Sequence, residues 1–357
     1  MVDTSINYPL LQSKLTVPSV QSTLVPRARL FEQLEETLAK RLAIVVSPAG
    51  FGKSSLLGSW CARLKTRPTA AGIGLGWLSL DEMDNDPARF WHYFVRAWCI
   101  ALGDNEIEEE VSRLIRTFTP APVDAILTLL INELSVSVNP DQPLVVVLDD
   151  YHLLTENSIH KGMSLFVERV PPGVHLVLAT RFDPNLPLAR YRIRDWLVEV
   201  RAEDLLFSEE ETAHFFEDTI RFKLSREEVK KLSTRTEGWV AGLQMAGLAL
   251  QGQKKTGKDT FRFIEDFAGS HRFILDYLSE EVLANLPGDL RDFLLRTSIL
   301  EKFNRPLCEV VTGSTNAGSL LSRLEEANLF IILLDDKREG FRYHHLFGEV
   351  LRELAPV

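Results

Sequence analysis

One stretch limits the folds open to this chain more than any other: "LAIVVSPAGFGKSSLL", residues 42–57. It opens with "LAIVVS", a short β-branched run with the composition of a strand buried on both faces. The run breaks into Pro48, Ala49, Gly50, Phe51, Gly52, Lys53, Ser54 and Ser55, with a helix expected from Lys53. Strand, glycine loop and helix in that order make a cradle for phosphate, because the loop amides and the helix N-terminus can converge on an anion. The chemistry asks for glycines that adopt unusual backbone angles, a lysine for the terminal phosphates and a hydroxyl for Mg2+. Gly50, Gly52, Lys53 and Ser54 fill those roles, with Pro48, Ala49, Phe51 and Ser55 as the remaining loop contacts. The stretch departs from G-x-x-x-x-G-K-[ST] once, at Ser47, where the strand closes and phosphate is not closely approached.

The rest of the first half extends the pattern. "LGWLSL" (75–80), "PLVVVLDD" (143–150), "VHLVLATR" (174–181) and "WLVEV" (196–200) read as strands, with helical segments between them. In "DPARFWHYFVRAWCIAL", Asp86 is placed to cap a helix and Pro87 to occupy its first position. Such alternation predicts an α/β fold, a P-loop parallel sheet with helices on both faces.

Two further strand ends carry chemistry. A phosphate-bound metal needs an acid at the end of a neighbouring strand. "PLVVVLDD" offers Asp149 for the Mg2+ shell, directly or through water, and Asp150 to orient or activate an attacking water. "VLATR" ends in Thr180 and Arg181, and an arginine there can sense a γ-phosphate.

After about Ala202 the pattern turns helical. "SEEETAHFF" and "SREEVKKL" open with Ser-x-x-Glu capping boxes, Ser208 with Glu211 and Ser225 with Glu228. "EGWVAGLQMAGLAL" has small residues suited to close helix packing, and "QGQKKTGKD" (251–259) reads as an exposed loop. The last stretch reads as three short helices, then two strands around "DDKREG", then a final helix. That order suggests a winged helix. The expected domains are therefore 1–202, a P-loop nucleotide-binding domain; 203–285, a helical lid; and 286–357, a winged helix.

Composition narrows the partners. The formal charge of −10 argues against broad electrostatic binding to nucleic acid or to an anionic membrane. Cys61, Cys99 and Cys308 form no C-x-x-C pair, so reduced, buried thiols in cytoplasm are expected. No signal peptide opens the sequence, and no apolar stretch reaches the roughly 18–20 residues of a membrane span.

In this order, "VPRARL", "SPAGFGKSSLL", "VVVLDDYHLL", "EGWVAGLQMAGLAL" and "YHHLF" resemble the signal-transducing ATPases with numerous domains, a NACHT-like class. The closer resemblance is to the ATPase half of the large LuxR-type bacterial transcription regulators, typified by the activator of the maltose regulon. It covers nearly the whole chain. It implies that Val25 and Arg27 lie against adenine and ribose, and that the helical segment forms a lid over the nucleotide. Gly238 and Trp239 fall where relatives carry Gly-x-Pro facing the base, but Val240 stands in place of that proline. Trp239 is thus either lid core or a base contact. The winged helix, on this resemblance, does not read DNA. It folds back on the nucleotide, and His344 aligns with the histidine of a Met-His-Asp motif that contacts the β-phosphate of ADP, with His345 replacing the acid.

The reading that follows is an ATP/ADP switch that uses Mg2+. ADP holds it closed and monomeric, ATP favours an open self-associating state, and hydrolysis is slow. An inducer, a small molecule or a protein, would act through a sensor region not found in this sequence, and neither is a C-terminal helix-turn-helix; the chain is expected to be either a fragment of a longer regulator, the favoured reading, or a standalone core. Two rivals remain. One is a metabolic P-loop kinase, to which "LPLARYRIR" would supply a mobile arginine lid. The other is a DNA binder acting through the winged helix, although Asp289, Asp292, Glu309, Glu325 and Glu326 make a poor phosphate-contacting face.

Overall fold

Five strands with long apolar runs pair in parallel, as the buried pattern predicts. They are β1 (Leu42–Val46), β2 (Gly74–Ser79), β3 (Leu144–Asp149), β4 (Val174–Thr180) and β5 (Leu197–Val200), in the order β2-β3-β4-β1-β5. Every residue of the three central strands is buried. The edge strand β5 alternates half-buried and buried residues, as expected where only one face is fully covered. The expected α/β parallel sheet is borne out. Its strand ends differ from those read in the sequence by about one residue, the usual fraying of such boundaries. This computed structural model describes residues 10–19, 25, 27–66, 72–117, 122–139, 141–254, 260–267, 269, 271–335 and 339–355.

The described residues fall into two units. One is drawn from 1–20, 27–46 and 53–201, the other from 21–26, 47–52 and 202–357. In the first unit the Pro87–Leu102 helix starts where Asp86 accepts the Arg89 N–H at 2.8 Å. It buries Phe90, Trp91, Phe94 and Trp98, and Phe94 meets Phe166 edge-on with ring centroids 5.0 Å apart. At the other end of this unit's sequence, Lys14 bonds to Asp84, which is fully buried and also takes Arg89 Nε at 3.0 Å. Asp84 further accepts the Asp81 N–H at 2.9 Å, so each of its oxygens is used.

The second unit opens with both expected capping boxes. Ser208 and Glu211 exchange bonds of 3.1 and 3.0 Å, and Ser225 and Glu228 of 3.3 and 2.7 Å. The Val240–Lys254 helix runs four residues into the stretch expected as a loop. Gln251 Nε2 donates to the Ile220 carbonyl at 2.7 Å and anchors that extension; positions 255–259 lie outside the described residues. Helices Gly288–Thr297, Arg305–Thr312 and Ala317–Glu326 precede the antiparallel pair β6 (Ile331–Leu333) and β7 (Phe341–Tyr343) and a last helix, His345–Leu354. The three helices, hairpin and closing helix form the expected winged helix; part of the expected turn, 336–338, is outside the described residues.

Cys61, Cys99 and Cys308 are buried free thiols, and burial raises all three, to about 12, 12 and 11. Among the described residues no helix is long and apolar enough to cross a membrane. Because Asp84 is fully buried with two cationic partners, Asp84→Ala should cost about 3 kcal/mol of unfolding free energy by leaving Lys14 and Arg89 with only the half-exposed Asp81, 2.9 and 3.9 Å away. A denaturant titration showing a loss below about 1 kcal/mol would show that solvent already satisfies this network.

Candidate functional site

The phosphate-type loop begins where β1 ends. Ser47 is fully buried, Pro48 and Ala49 follow it into the interior, and Gly50 and Gly52 take left-handed angles of φ +77° and +82° on either side of buried Phe51. Gly50 also has no room for a side chain. A Cβ there would lie 2.7 Å from Ala241 Cβ, 2.8 Å from Tyr277 Oη and 3.0 Å from Trp239 Nε1. The helix starts at Lys53, with Ser54 half-buried and Ser55 exposed.

The first unit gathers the charged groups. Lys53 is buried, and burial, helped by the Arg181 guanidinium and opposed by Asp150 and Asp149, holds its ammonium down to about 8. Asp149 ends β3 and is pushed up to about 6, first by burial and then by Asp150, against a hydrogen bond from Ser54 and the Asp150 N–H at 3.1 Å. Ser54 and Asp149, the two groups expected to hold Mg2+, therefore already meet. The acid-bearing strand does not adjoin the loop-bearing one, contrary to expectation: β4 lies between β3 and β1, with Thr180 opposite Val46. Contact survives because Ser54 sits on the helix after β1, not on the strand itself. Arg181 follows β4 and is half-buried. Arg27 is buried and caps the Ala28–Glu35 helix, its carbonyl accepting the Leu30 and Phe31 amides at 3.0 Å each.

Sequence reasoning passed over His152, although "VVVLDDYHLL" contains it. Asp150 sits in the left-handed region (φ 59°, ψ 37°), and a short 3-10 turn, Tyr151–Leu153, follows. His152 Nδ1 comes to 3.9 Å from Asp150 Oδ1. Burial, with Arg181 and Lys53 nearby, drives its pKa down to about 3, so the ring is neutral at pH 7.

In the second unit the loop carbonyls have donors. The Ala241 amide donates to Gly50 O at 3.1 Å, and Trp239 Nε1 to Ala49 O at 3.3 Å. Trp239 is fully buried and spends its N–H on the loop. Its ring packs on Phe330 at 5.3 Å, Tyr277 at 5.8 Å and His344 at 5.8 Å, and Phe330 reaches Phe51 at 5.9 Å. His344 is buried, and burial lowers its pKa against the pull of Glu237. Its Nε2 lies 3.0 Å from the Thr236 carbonyl, whereas Nδ1 has no hydrogen-bond partner among the described residues. Glu237, at φ 48°, takes Arg342 at 2.7 Å and His345 at 3.0 Å. Val25 is buried.

The arginines once available to a kinase lid are engaged. Arg190 pairs with Glu168, Arg192 with Glu199 at 2.6 Å, and Arg194 lies 4.8 Å from the Trp196 ring centre. On the winged helix, Asp289 pairs with Arg323, Asp292 with Arg296 at 2.8 Å and Glu309 with Arg305 at 2.8 Å.

Residues 279–356 match the family described as the MalT winged helix domain. Over 96% of its length the chain is 35% identical to the HTH-type transcriptional regulator MalT of Serratia proteamaculans, and equally to that of Yersinia pestis. It spans 36% of the length of each. The chain is thus related to MalT regulators almost from end to end, and the resemblance carried by the five motifs holds. It is also similar to a Signal Transduction ATPase with Numerous Domains (STAND) protein with a tetratricopeptide repeat sensor from Pyrococcus horikoshii, at 17% identity and a TM-score of 0.46 over 95% of this chain and 44% of that one.

A carboxyl pushed up to about 6 is held protonated more firmly in the folded state than in the unfolded one. Its ionisation therefore removes stability as pH rises from about 4 through 6, and the whole penalty applies above that. Asp149→Asn should accordingly raise the unfolding free energy of nucleotide- and metal-free protein at pH 7 by about 1–3 kcal/mol, with no gain at pH 4. Equal midpoints at both pH values would show that Asp149 carries no such penalty.

Proposed function

We propose that these residues form the nucleotide-dependent switch of a transcriptional regulator of the MalT kind. The single observation that carries the reading is that carbonyls of the phosphate-type loop are bonded by Trp239 and Ala241, so the loop's shape and the packing of the helical segment depend on each other. An enzyme built only for turnover has no need of that dependence. A switch requires it, because a ligand shifts an equilibrium only by the difference in its affinity for two states.

In this reading 1–202 binds the nucleotide, 203–285 is the lid and 286–357 the locking winged helix. Lys53 meets the terminal phosphates, Ser54 and Asp149 hold Mg2+, Arg181 senses the γ-phosphate, and Val25 and Arg27 receive the base and ribose. Mg2+ supplies positive charge to the bound phosphates. His344, protonated as the anion arrives, keeps its Nε2–H on the Thr236 carbonyl and donates Nδ1–H to the β-phosphate of ADP, a role supported by its burial and by the lack of a partner for Nδ1 among the described residues. The arrangement suits such a ligand: a desolvated lysine and a raised carboxyl both relax when phosphate and metal arrive. ADP gives a closed monomer, ATP an open self-associating form, and slow hydrolysis resets the cycle in the cytoplasm. Inducer recognition and DNA binding belong to parts of such regulators beyond the 36% matched by this chain.

The test begins with the purified chain. Denaturation followed by chromatography should release about one ADP per chain, retained without being added, and Lys53→Ala should release none. Trp239→Phe keeps an aromatic ring but removes the N–H and part of the indole's packing, so ADP should leave at least roughly five- to tenfold faster, the cost of one hydrogen bond with the lost packing added to it. Exchange at an unaltered rate, or an empty site with rapid ATP turnover, would discard the switch.

A further inference from the structure

Resting on the hydrolytic switch proposed above, we propose that His152 positions the attacking water, which it holds between its Nδ1 and the carboxylate of Asp150. Three observations converge on this residue. The His152 side chain is 8% exposed, and its Nδ1 has no hydrogen-bond partner among the described residues. A buried ring nitrogen without a partner is costly unless something else fills its valence. The gap of 3.9 Å to Asp150 Oδ1 is too long for a hydrogen bond and suits two polar groups that share a water.

The ring is also held in place. The preceding residue, Tyr151, is buried, with its hydroxyl 3.0 Å from His160 Nδ1, while His160 Nε2 lies 3.1 Å from the Leu154 carbonyl. Asn85 Nδ2 donates to the Leu153 carbonyl at 2.7 Å, and Asn85 Oδ1 accepts the Thr155 amide at 2.6 Å. Phe182 packs against the imidazole edge-on, with ring centres 6.0 Å apart. The turn that carries His152 is thus held on both sides, while Nδ1 itself is left for a guest.

Charge separates this role from phosphate binding. Lys53 and Arg181 already supply cations, and burial together with their proximity keeps His152 neutral. A neutral imidazole adds little attraction for phosphate but offers a directed hydrogen bond to a water. In the step assigned here the water oxygen bonds to the γ-phosphorus. The bond from that phosphorus to the bridging oxygen breaks, its electron pair leaves with ADP, and the water's proton passes to Asp150. His152 accepts the water's other hydrogen and fixes its direction.

Two readouts test this, one of them independent of turnover. His152→Ala should slow single-turnover ATP hydrolysis about 10- to 100-fold, the cost of a misdirected nucleophile. It should also weaken binding of ADP with aluminium fluoride and Mg2+ by about tenfold while leaving ADP affinity within about twofold. His152→Asn, whose amide reaches the Nδ1 position, should restore most of both. Hydrolysis at the unaltered rate in the alanine variant, parallel loss of ADP binding, or an asparagine variant no better than alanine would overturn the water role. If the unaltered chain binds ATP yet never hydrolyses it, the hydrolytic switch itself fails and this role with it. A hydrolysing chain indifferent to His152 refutes the water role alone.

Discussion

A loop whose amides converge on an anion turns carbonyl groups away from it, and buried carbonyls need donors. Here Ala49 and Gly50 find theirs in Trp239 and the Ala241 amide. Much else follows from those two bonds. They require Gly50 to lack a side chain, since a Cβ would strike both donor residues. They place the indole of Trp239 against Phe330 and His344, so that a residue of the winged helix and the phosphate-type loop share one aromatic neighbour. A six-residue loop becomes part of the core of a unit whose main body, 202–357, lies far along the chain.

The first unit shows the electrostatic counterpart. Its sheet places a lysine, two aspartates, an arginine and a histidine together, and burial acts on most of them. Lys53 is pushed down, Asp149 up and His152 well down. Each shift moves a group toward its neutral form, which is the response of a low-dielectric site with its ionic charges incompletely matched. Such a site is not at its stability optimum, a condition that recurs where stability and binding make opposing demands.

Much of this was legible in the sequence. The parallel sheet was visible because three fully buried strands leave uninterrupted apolar runs, which periodicity reads well. Capping boxes at Ser208 and Ser225 were visible because they are local, with both partners within three residues. Lys53, Ser54 and Asp149 could be singled out as a group because glycines and strand ends mark the places where such side chains converge, and the structure brings them together. What was missed depended on three dimensions. No pattern in the sequence places β4 between the strands of the loop and the acids. His152 was overlooked because its meaning lies in a neighbour 3.9 Å away and in an unfilled valence. Glu237 looked like an ordinary helix-end residue, and only its left-handed backbone and its contacts with Arg342 and His345 show it as a hub. The helix through Gln251–Lys254 was missed for a related reason, since a polar stretch gains its anchor from the distant Ile220 carbonyl.

Phe330 sits at φ 50°, a region that a bulky side chain avoids. Its ring nonetheless lies against Phe51, Trp239, His344 and Phe347, and its carbonyl accepts the His344 amide at 2.8 Å. The strained geometry persists because its surroundings over-determine it. β6 starts at the next residue, in fixed register with Tyr343. If the rings parted, Phe330 would relax to an ordinary backbone angle, and the peptide that carries the His344 bond and leads into the wing would rotate with it. The wing's first strand therefore leaves from a residue held off its own backbone preference by its ring contacts, so the angle at which the wing departs is set by that aromatic cluster rather than by the hairpin alone.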